Sequence, residues 1–141
     1  MNEMNYENLV FYDLETSGLD LKKHEIIQIG AIDAKTKDEF EVKIDFDVNN
    51  ADPEALKVVR FDENKWDQEG VSLQEGLEKF NDFLSRHATL ERESKKTGKA
   101  YKIAILAGFN NCGFDNIFLF DRFKRNHIFL HADYRSYDIF S

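Results

Sequence analysis

The stretch "VFYDLETSGLD", Val10 to Asp20, ends an apolar run with two carboxylates, Asp13 and Glu15, which are separated by one residue. Side chains alternate between the two faces of a strand, so both carboxylates are expected to point the same way. Two like charges on one face of a central strand repel, and one must become protonated unless a cation neutralises them. Because carboxylate oxygens suit hard cations such as Mg²⁺ and Mn²⁺, the stretch favours a metal site over two solvent-facing acids on an edge strand.

A second polar cluster, "GFNNCGFDNIFL", follows a predicted buried strand at Gly108 to Leu119. Asp115 lies near the first turn of the next predicted helix, where an Asp commonly caps the helix or complements its dipole. The Asn and Gly residues at the strand end point instead to a ligand site, because α/β sheets favour such sites there. Three carboxylates from separate elements could meet around a pair of metal ions, which stabilise the attacking and leaving oxygens of in-line phosphoryl displacement.

The first half of the chain predicts three strands and two helices. The segments "NLVFYDL", "EIIQIGAIDA" and "EFEVKIDF" are typical strands of an antiparallel meander, with the third nearer an edge. A short helix is predicted at Glu54 to Val59, in the loop that contains the only proline. The segment "SLQEGLEKFNDFLSRH" predicts a longer helix, because Ser72 and Glu75 form a capping box ahead of an apolar stripe.

The second half predicts a strand, a helix and a strand. The charged segment "ATLERESKKTGKAYK" is expected to be an exposed excursion, and "IAILAGFN" to be a buried strand. The segment "GFDNIFLFDRFKRN" predicts a helix with Phe114, Ile117, Phe118 and Asp121 on one face, and "ADYRSYDIF" predicts a last strand. With the short helix left out, the order β-β-β-α-β-α-β indicates an α/β domain with a mixed sheet.

Composition indicates one globular domain spanning residues 1–141, with 42% hydrophobic residues and a net charge of −8. A protein that holds nucleic acid mainly through phosphate contacts is usually basic, so the charge disfavours that class but not an enzyme whose metal ions bridge carboxylates to phosphate. The single cysteine, Cys112, excludes an intrachain disulfide. No segment is typical of a signal peptide or a membrane anchor, and a cytoplasmic location is predicted.

These motifs resemble, in order and over nearly all of the chain, those of the DEDD 3′–5′ exonucleases, the proofreading-type branch of the ribonuclease H-like superfamily. The segment "YDLETSGLD" resembles the first motif, D-x-E-T-[ST]-G, and "GFNNCGFDNIFL" resembles the second, N-x-x-F-D-x-x-F-L. Between them, "HEIIQIGAI" resembles the family's second strand, and "EALKVVRFDENKW" resembles the region before its first long helix. The resemblance implies a ribonuclease H-like mixed sheet flanked by helices.

The resemblance also implies roles for individual residues. Three of the family's four metal-binding acids match Asp13, Glu15 and Asp115, which would be catalytic and would hold two Mg²⁺ or Mn²⁺ ions. The positions that match substrate-binding ones are Thr16, Gly18, Leu19, Asn111 and Phe114. The implied substrate is the 3′ end of single-stranded DNA or RNA.

The family's third motif, with a fourth Asp and a His or Tyr general base, has no counterpart in this sequence. His131 and Asp138 are an alternative pair, but their spacing does not fit the motif, and Asp138 matches an earlier non-catalytic position. The sequence stops just after Ile139 and Phe140, two apolar residues. We therefore expect the fold to be C-terminally incomplete, with a missing C-terminal segment or a partner chain completing the site.

The implied function is metal-dependent 3′–5′ hydrolysis of DNA or RNA ends to nucleoside monophosphates by a two-metal mechanism. A general base is worth about 10²–10⁴ in rate, so the 141-residue chain is expected to be weak or inactive as it stands. One alternative is a catalytically impaired module of the same fold that binds nucleic acid or a protein partner. Another is a structural domain without a metal, which the pairing of Asp13 and Glu15 on one face disfavours.

Overall fold

The computed structural model describes residues 6–109 and 112–139, and these form a mixed sheet of six strands with helices packed against it. The strands are β1 (Leu9–Thr16), β2 (Ile26–Asp33), β3 (Glu39–Lys43), β4 (Leu90–Glu93), β5 (Ala100–Phe109) and β6 (Ala132–Ile139). The helices are α1 (Pro53–Val58), α2 (Glu63–Glu69), α3 (Leu73–Arg86) and α4 (Cys112–Arg125). The α/β class and the mixed sheet predicted from the sequence are confirmed.

The sheet combines an antiparallel half with a parallel half. Strands β1, β2 and β3 form the predicted antiparallel meander, with β3 at the edge. Strand β5 lies parallel to β1, and β6 lies parallel to the second part of β5. Strand β4 pairs antiparallel with the first part of β5. The arrangement places β1, with its two carboxylates, in the interior of the sheet.

Two parts of the predicted element order are wrong. The charged segment expected to be an exposed excursion contains β4 and the first residues of β5, which form a hairpin. Alternate residues of β4 are exposed, so its charged pattern is easily mistaken for a loop. The chain also forms α2 directly after α1, because the Asp62 side chain caps the backbone N–H of Asn64 and Trp66 is buried beneath the helix.

Helices α3 and α4 pack on one face of the sheet and form the core with it. Val10, Tyr12 and Leu14 of β1 point into this core, where they meet Phe80 of α3 and Phe118 of α4. The rings of Tyr12 and Phe80 lie 6.2 Å apart between their centroids. Because side chains alternate along β1, the residues between these core positions must lie on the other face.

Particular side chains set the start of α3 and the buried face of α4. The Ser72 side chain accepts a hydrogen bond from the backbone N–H of Glu75 at 3.2 Å, which confirms the predicted start of α3. For α4, the predicted packing face is partly wrong, because Ile117 is 57% exposed whereas Leu119 and Phe123 are buried. The buried residues of α4 recur at spacings of three and four, as Phe118 with Arg122 and Leu119 with Phe123, and Ile117 lies off this face.

Asn81 of α3 fixes the segment that leads into β6. Its side-chain amide donates to the carbonyl of Phe129 at 2.7 Å and accepts from the backbone N–H of His131 at 2.8 Å. We expect Asn81→Ala to lower the free energy of unfolding by about 2–3 kcal/mol, because both backbone groups lose a partially buried partner. Urea denaturation with an Asn64→Ala control would measure this difference, and an unchanged midpoint would contradict it.

Across residues 6–109 and 112–139, no helix combines the length and the apolar character needed to cross a membrane.

Candidate active site

Strands β1 and β5 separate after a short paired stretch. The two strands pair only between Leu9–Phe11 and Ile105–Ala107, although β1 continues to Thr16 and β5 to Phe109. Beyond the paired region, the backbone N–H of Leu14 donates to Oδ2 of Asp115 at 3.1 Å. The first turn of α4 is thereby held against β1, and a ligand site is expected at such a divergence of strand ends.

Asp13 and Glu15 lie on the face of the sheet opposite α3 and α4. Asp13 is exposed and Glu15 half-buried, between the buried residues that alternate with them along β1. Their partners on β2 are Gly30 and Gln28. A methyl group built on Gly30 would meet no atom within 4 Å, so the space beside Asp13 is open. The two carboxylates therefore share one accessible face, as their spacing predicts.

Asp115 is almost fully buried at the start of α4, and its carboxyl group interacts with those of β1. The pKa of Asp115 is raised to about 7, chiefly by burial. The hydrogen bond from the Leu14 N–H lowers this pKa, whereas the charge of Asp13, a hydrogen bond to Asp13 and the charge of Glu15 contribute to the rise. The pKa of Glu15 is also raised, first by burial and then by the Asp13 carboxylate. Three carboxyl groups from two elements therefore interact at one place.

This set of oxygen donors fits a hard divalent cation. Within the described ranges, no group of three or more His, Cys, Asp or Glu side chains is already arranged to hold a metal ion. However, the raised pKa values of Glu15 and Asp115 show that deprotonating all three carboxyl groups is unfavourable in the protein alone. A cation would offset that repulsion, and carboxylate oxygens are the donors that Mg²⁺ and Mn²⁺ prefer.

The turn after β1 is tightly packed. The Thr16 hydroxyl donates to the carbonyl of Gly18 at 2.8 Å, so its proton is used inside the turn. A Cβ atom on Gly18 would lie 2.3 Å from the ring of His24, which is itself buried. His24 Nδ1 accepts from the backbone N–H of Asp20 at 3.0 Å. The imidazole thus fills the space under Gly18 and supports the turn. Leu19, which follows Gly18 in the sequence, is 79% exposed.

Arg122 is a positioning residue that the sequence motifs do not reveal. It is 4% exposed on α4, and its guanidinium donates to the carbonyls of Leu21 and His24 and pairs with Asp121. One buried cation thereby ties the helix that carries Asp115 to the loop that follows Glu15. An arginine in a Phe-rich helix carries no sequence signal for this role, because its partners are backbone carbonyls about 100 residues away.

A second chain of hydrogen bonds fixes α4 between β1 and β6. The Tyr12 hydroxyl donates to the side-chain carbonyl of Asn116, and the Asn116 amide donates to the Ser136 hydroxyl. Tyr12 is adjacent to Asp13, and Asn116 is adjacent to Asp115. The chain therefore holds the two carboxylate-bearing elements in a fixed relation, which favours a preorganised site.

Two further predicted substrate-binding positions, Phe114 and Asn111, belong to the sequence at the start of α4 and just before it. Phe114 is half-buried and packs on Phe118 with a ring-centroid distance of 5.0 Å, and Asn111 lies outside the described residues. The alternative pair of His131 and Asp138 stands before and near the end of β6, seven residues apart, which is roughly 20 Å along an extended strand. The structure does not bring that pair together.

Residues 10–97 match the RNase T family model, whose description is "Exonuclease". The chain belongs to the RNase T exonuclease family. This family lies within the DEDD superfamily, so the resemblance identified from the first and second motifs is confirmed. No curated protein sequence matches the chain at a significant level.

Solved structures of Exonuclease I share the fold. The enzyme from Methylocaldum szegediense has a TM-score of 0.65 at 17% identity, covering 93% of this chain and 27% of that protein. The E. coli enzyme in complex with a dA16 oligonucleotide has a TM-score of 0.62 at 16% identity, covering 85% and 24%. The zinc-bound form of the E. coli ExoI–ssDNA complex has a TM-score of 0.66 at 14% identity, covering 93% and 27%. The predicted ribonuclease H-like architecture is confirmed, and this chain spans about a quarter of the length of these proteins.

Proposed function

We propose that this chain carries the metal-binding part of a 3′–5′ exonuclease that hydrolyses DNA or RNA ends to nucleoside monophosphates. The observation that supports this most is the convergence of Asp13, Glu15 and Asp115 where β1 and β5 separate. Because the chain belongs to the RNase T exonuclease family, we interpret these three carboxylates as the metal ligands of a nuclease. The Exonuclease I structures determined with an oligonucleotide or ssDNA support nucleic acid as the substrate class.

In this mechanism Asp13, Glu15 and Asp115 would hold two divalent cations, Mg²⁺ or Mn²⁺. Bound ions supply a polarised water for attack on the terminal phosphodiester and stabilise the departing 3′ oxygen. Asp115 must lose its proton to act as a ligand, and the Leu14 N–H then stabilises the carboxylate that remains. The hydrogen bond from Leu14 also holds the Asp115 carboxylate against β1, beside Asp13, so that both side chains would be available to bound cations.

The turn of residues 16–19 and the first turn of α4 would position the terminal nucleotide. Leu19 is exposed and available for contact with the last base, whereas the buried Gly18 turn would approach it through backbone atoms. Phe114 would contact the nucleotide from α4, and Asn111 would do so from the segment before it. A substrate bound here would lie between the two elements that Arg122 ties together.

Incubation with 5′-labelled single-stranded DNA and RNA tests this function directly. We expect a ladder that shortens from the 3′ end with Mn²⁺, no ladder with EDTA, and no ladder from Asp13→Ala. A ladder of equal strength from Asp13→Ala would contradict the proposal. If the wild type cleaves neither substrate although Mn²⁺ raises its melting temperature, the chain is an impaired module of the same fold.

The affinity for Mn²⁺ should depend on pH because metal and proton compete for Asp115. Its pKa is about 7, so we expect binding to tighten about tenfold per pH unit between pH 5 and pH 7 and to level off above that. Calorimetric titration of Mn²⁺ at several pH values measures this dependence. An affinity that stays constant over the same interval would show that Asp115 is not a ligand.

A further inference from the structure

An open groove of about 650 Å³ lies beside the β4–β5 hairpin, away from the carboxylate site. Strand β5 runs from Tyr101 at this groove to Phe109 beside Asp13, eight residues or roughly 25 Å. None of the residues that carry the proposed catalytic chemistry lines it. The side chains that matter for its chemistry are Arg92, Lys95, Lys96, Tyr101, Phe129 and His131.

The groove presents aromatic rings to solvent. Phe129 is 60% exposed and meets Tyr101 edge-on at a ring-centroid distance of 6.0 Å. Phe129 also meets the His131 ring edge-on at 5.2 Å. Exposed rings in a concave site offer π-faces on which any nucleobase can stack, without a preference for sequence.

The groove is also locally basic, although the chain carries a net charge of −8. Arg92, Lys95 and Lys96 line it with a single acid, Glu93. Arg92 forms an ion pair with Asp133 of β6, with 3.5 Å between Nη2 and the carboxylate. Because Asp133 offsets the charge of Arg92, the two lysines are the main source of positive charge. An anion is repelled by most of this protein, and the hairpin offers it a favourable place to bind.

One wall of the groove is held in place by Asn81 of α3. Asn81 holds the backbone of Phe129 and His131 through two hydrogen bonds. The groove therefore presents the Phe129 ring from a segment whose backbone is fixed by hydrogen bonds.

We propose that this groove binds single-stranded nucleic acid, with phosphates on Lys95 and Lys96 and a base stacked on Phe129. An exposed stacking surface and positive charge occur together here, and single-stranded nucleic acid offers a partner for both. The site would hold a strand at a distance from the carboxylates, independently of any metal. Because binding in this groove does not require cleavage, it can be tested separately from the proposed exonuclease activity.

Fluorescence anisotropy with 5′-fluorescein-dT15 in EDTA tests the site at several salt concentrations. We expect Lys95→Gln/Lys96→Gln to weaken binding and to reduce the salt slope by about 1.4, since each phosphate contact on a single strand contributes about 0.7. Phe129→Ala should weaken binding about 5- to 100-fold with an unchanged salt slope, which is the range for loss of one stacked base. The control Lys57→Gln/Lys65→Gln makes the same charge change on α1 and α2 and should leave binding unchanged.

Several outcomes would overturn this inference. One is failure of the wild type to bind dT15, and another is equal weakening by the two lysine double variants. A third is binding of poly-glutamate as tight as that of dT15 with no effect of Phe129→Ala, which would indicate a general anion site. Asp13→Ala should bind dT15 in EDTA as the wild type does, so loss of cleavage and loss of groove binding are distinguished within one set of proteins.

Discussion

Asp115→Asn is expected to make the metal-free protein more stable and at the same time to remove its response to Mn²⁺. The substituted amide keeps the size of the side chain and an oxygen that accepts from the Leu14 N–H. It removes a buried negative charge that the protein alone tolerates poorly. At pH 8 in EDTA we expect a melting temperature several degrees above that of the wild type, because up to about 4 kcal/mol of unfavourable ionisation is removed.

The sign of this effect depends on pH. In the folded protein the pKa of Asp115 is raised from 3.8 to about 7, so the folded state retains a proton that the unfolded chain releases. That retention contributes stability below pH 3.8, and the contribution is lost as the pH rises through 7. The difference in melting temperature between Asp115→Asn and the wild type should therefore be near zero at pH 4 and grow toward pH 8.

Although Asp115→Asn should stabilise the metal-free protein, it should weaken the binding of Mn²⁺. Loss of an outer-shell partner typically costs 10–100-fold in metal affinity, and loss of a direct ligand should cost at least about 100-fold. Differential scanning fluorimetry with and without Mn²⁺ reads both effects on one protein. An Asp115→Asn variant that Mn²⁺ stabilises as much as it stabilises the wild type would contradict the assignment of Asp115 as a ligand.

Gly18→Ala should destabilise the protein, because the added methyl group has no room beside the His24 ring. The new Cβ would lie within 2.3–2.5 Å of three atoms of the buried His24 ring. Those atoms cannot move freely, since Nδ1 holds the N–H of Asp20 and the carbonyl of His24 is held by Arg122. We expect a loss of about 1–3 kcal/mol in the free energy of unfolding and displacement of the turn that follows Glu15.

Gly30→Ala is the matched control for that prediction. It adds the same methyl group at a neighbouring position of β2, where no atom lies within 4 Å. Its unfolding midpoint in urea should equal or exceed that of the wild type, because alanine restricts the unfolded chain. Equal midpoints for Gly18→Ala and Gly30→Ala would show that the His24 ring does not constrain the turn.

Local rules are sufficient to predict where these three carboxylates lie in the fold. The period of two along a strand places Asp13 and Glu15 on one face, and the structure has them there. The position of Asp115 in the first turn of the next helix follows from the apolar strand before it and the apolar helix after it. These predictions succeed because they depend on periodicity and on neighbours in sequence.

The supporting contacts could not be predicted in the same way. Arg122 is bound to carbonyl groups, which every residue possesses, so no residue type in the loop signals the contact. The packing of His24 under Gly18 depends on how the turn folds back before β2. Strand β4 was missed because it pairs only four residues in a charged hairpin, where tertiary pairing with β5 outweighs local composition.

Anomalous diffraction at the manganese edge, from crystals of this chain grown with MnCl₂, tests the central claim most directly. The proposed site predicts manganese peaks within coordination distance of the carboxylate oxygens of Asp13, Glu15 and Asp115, about 2.0–2.3 Å for a hard cation of this size. A map with no manganese at these three side chains, although the ion is present in the crystal, would contradict the proposed metal-dependent mechanism.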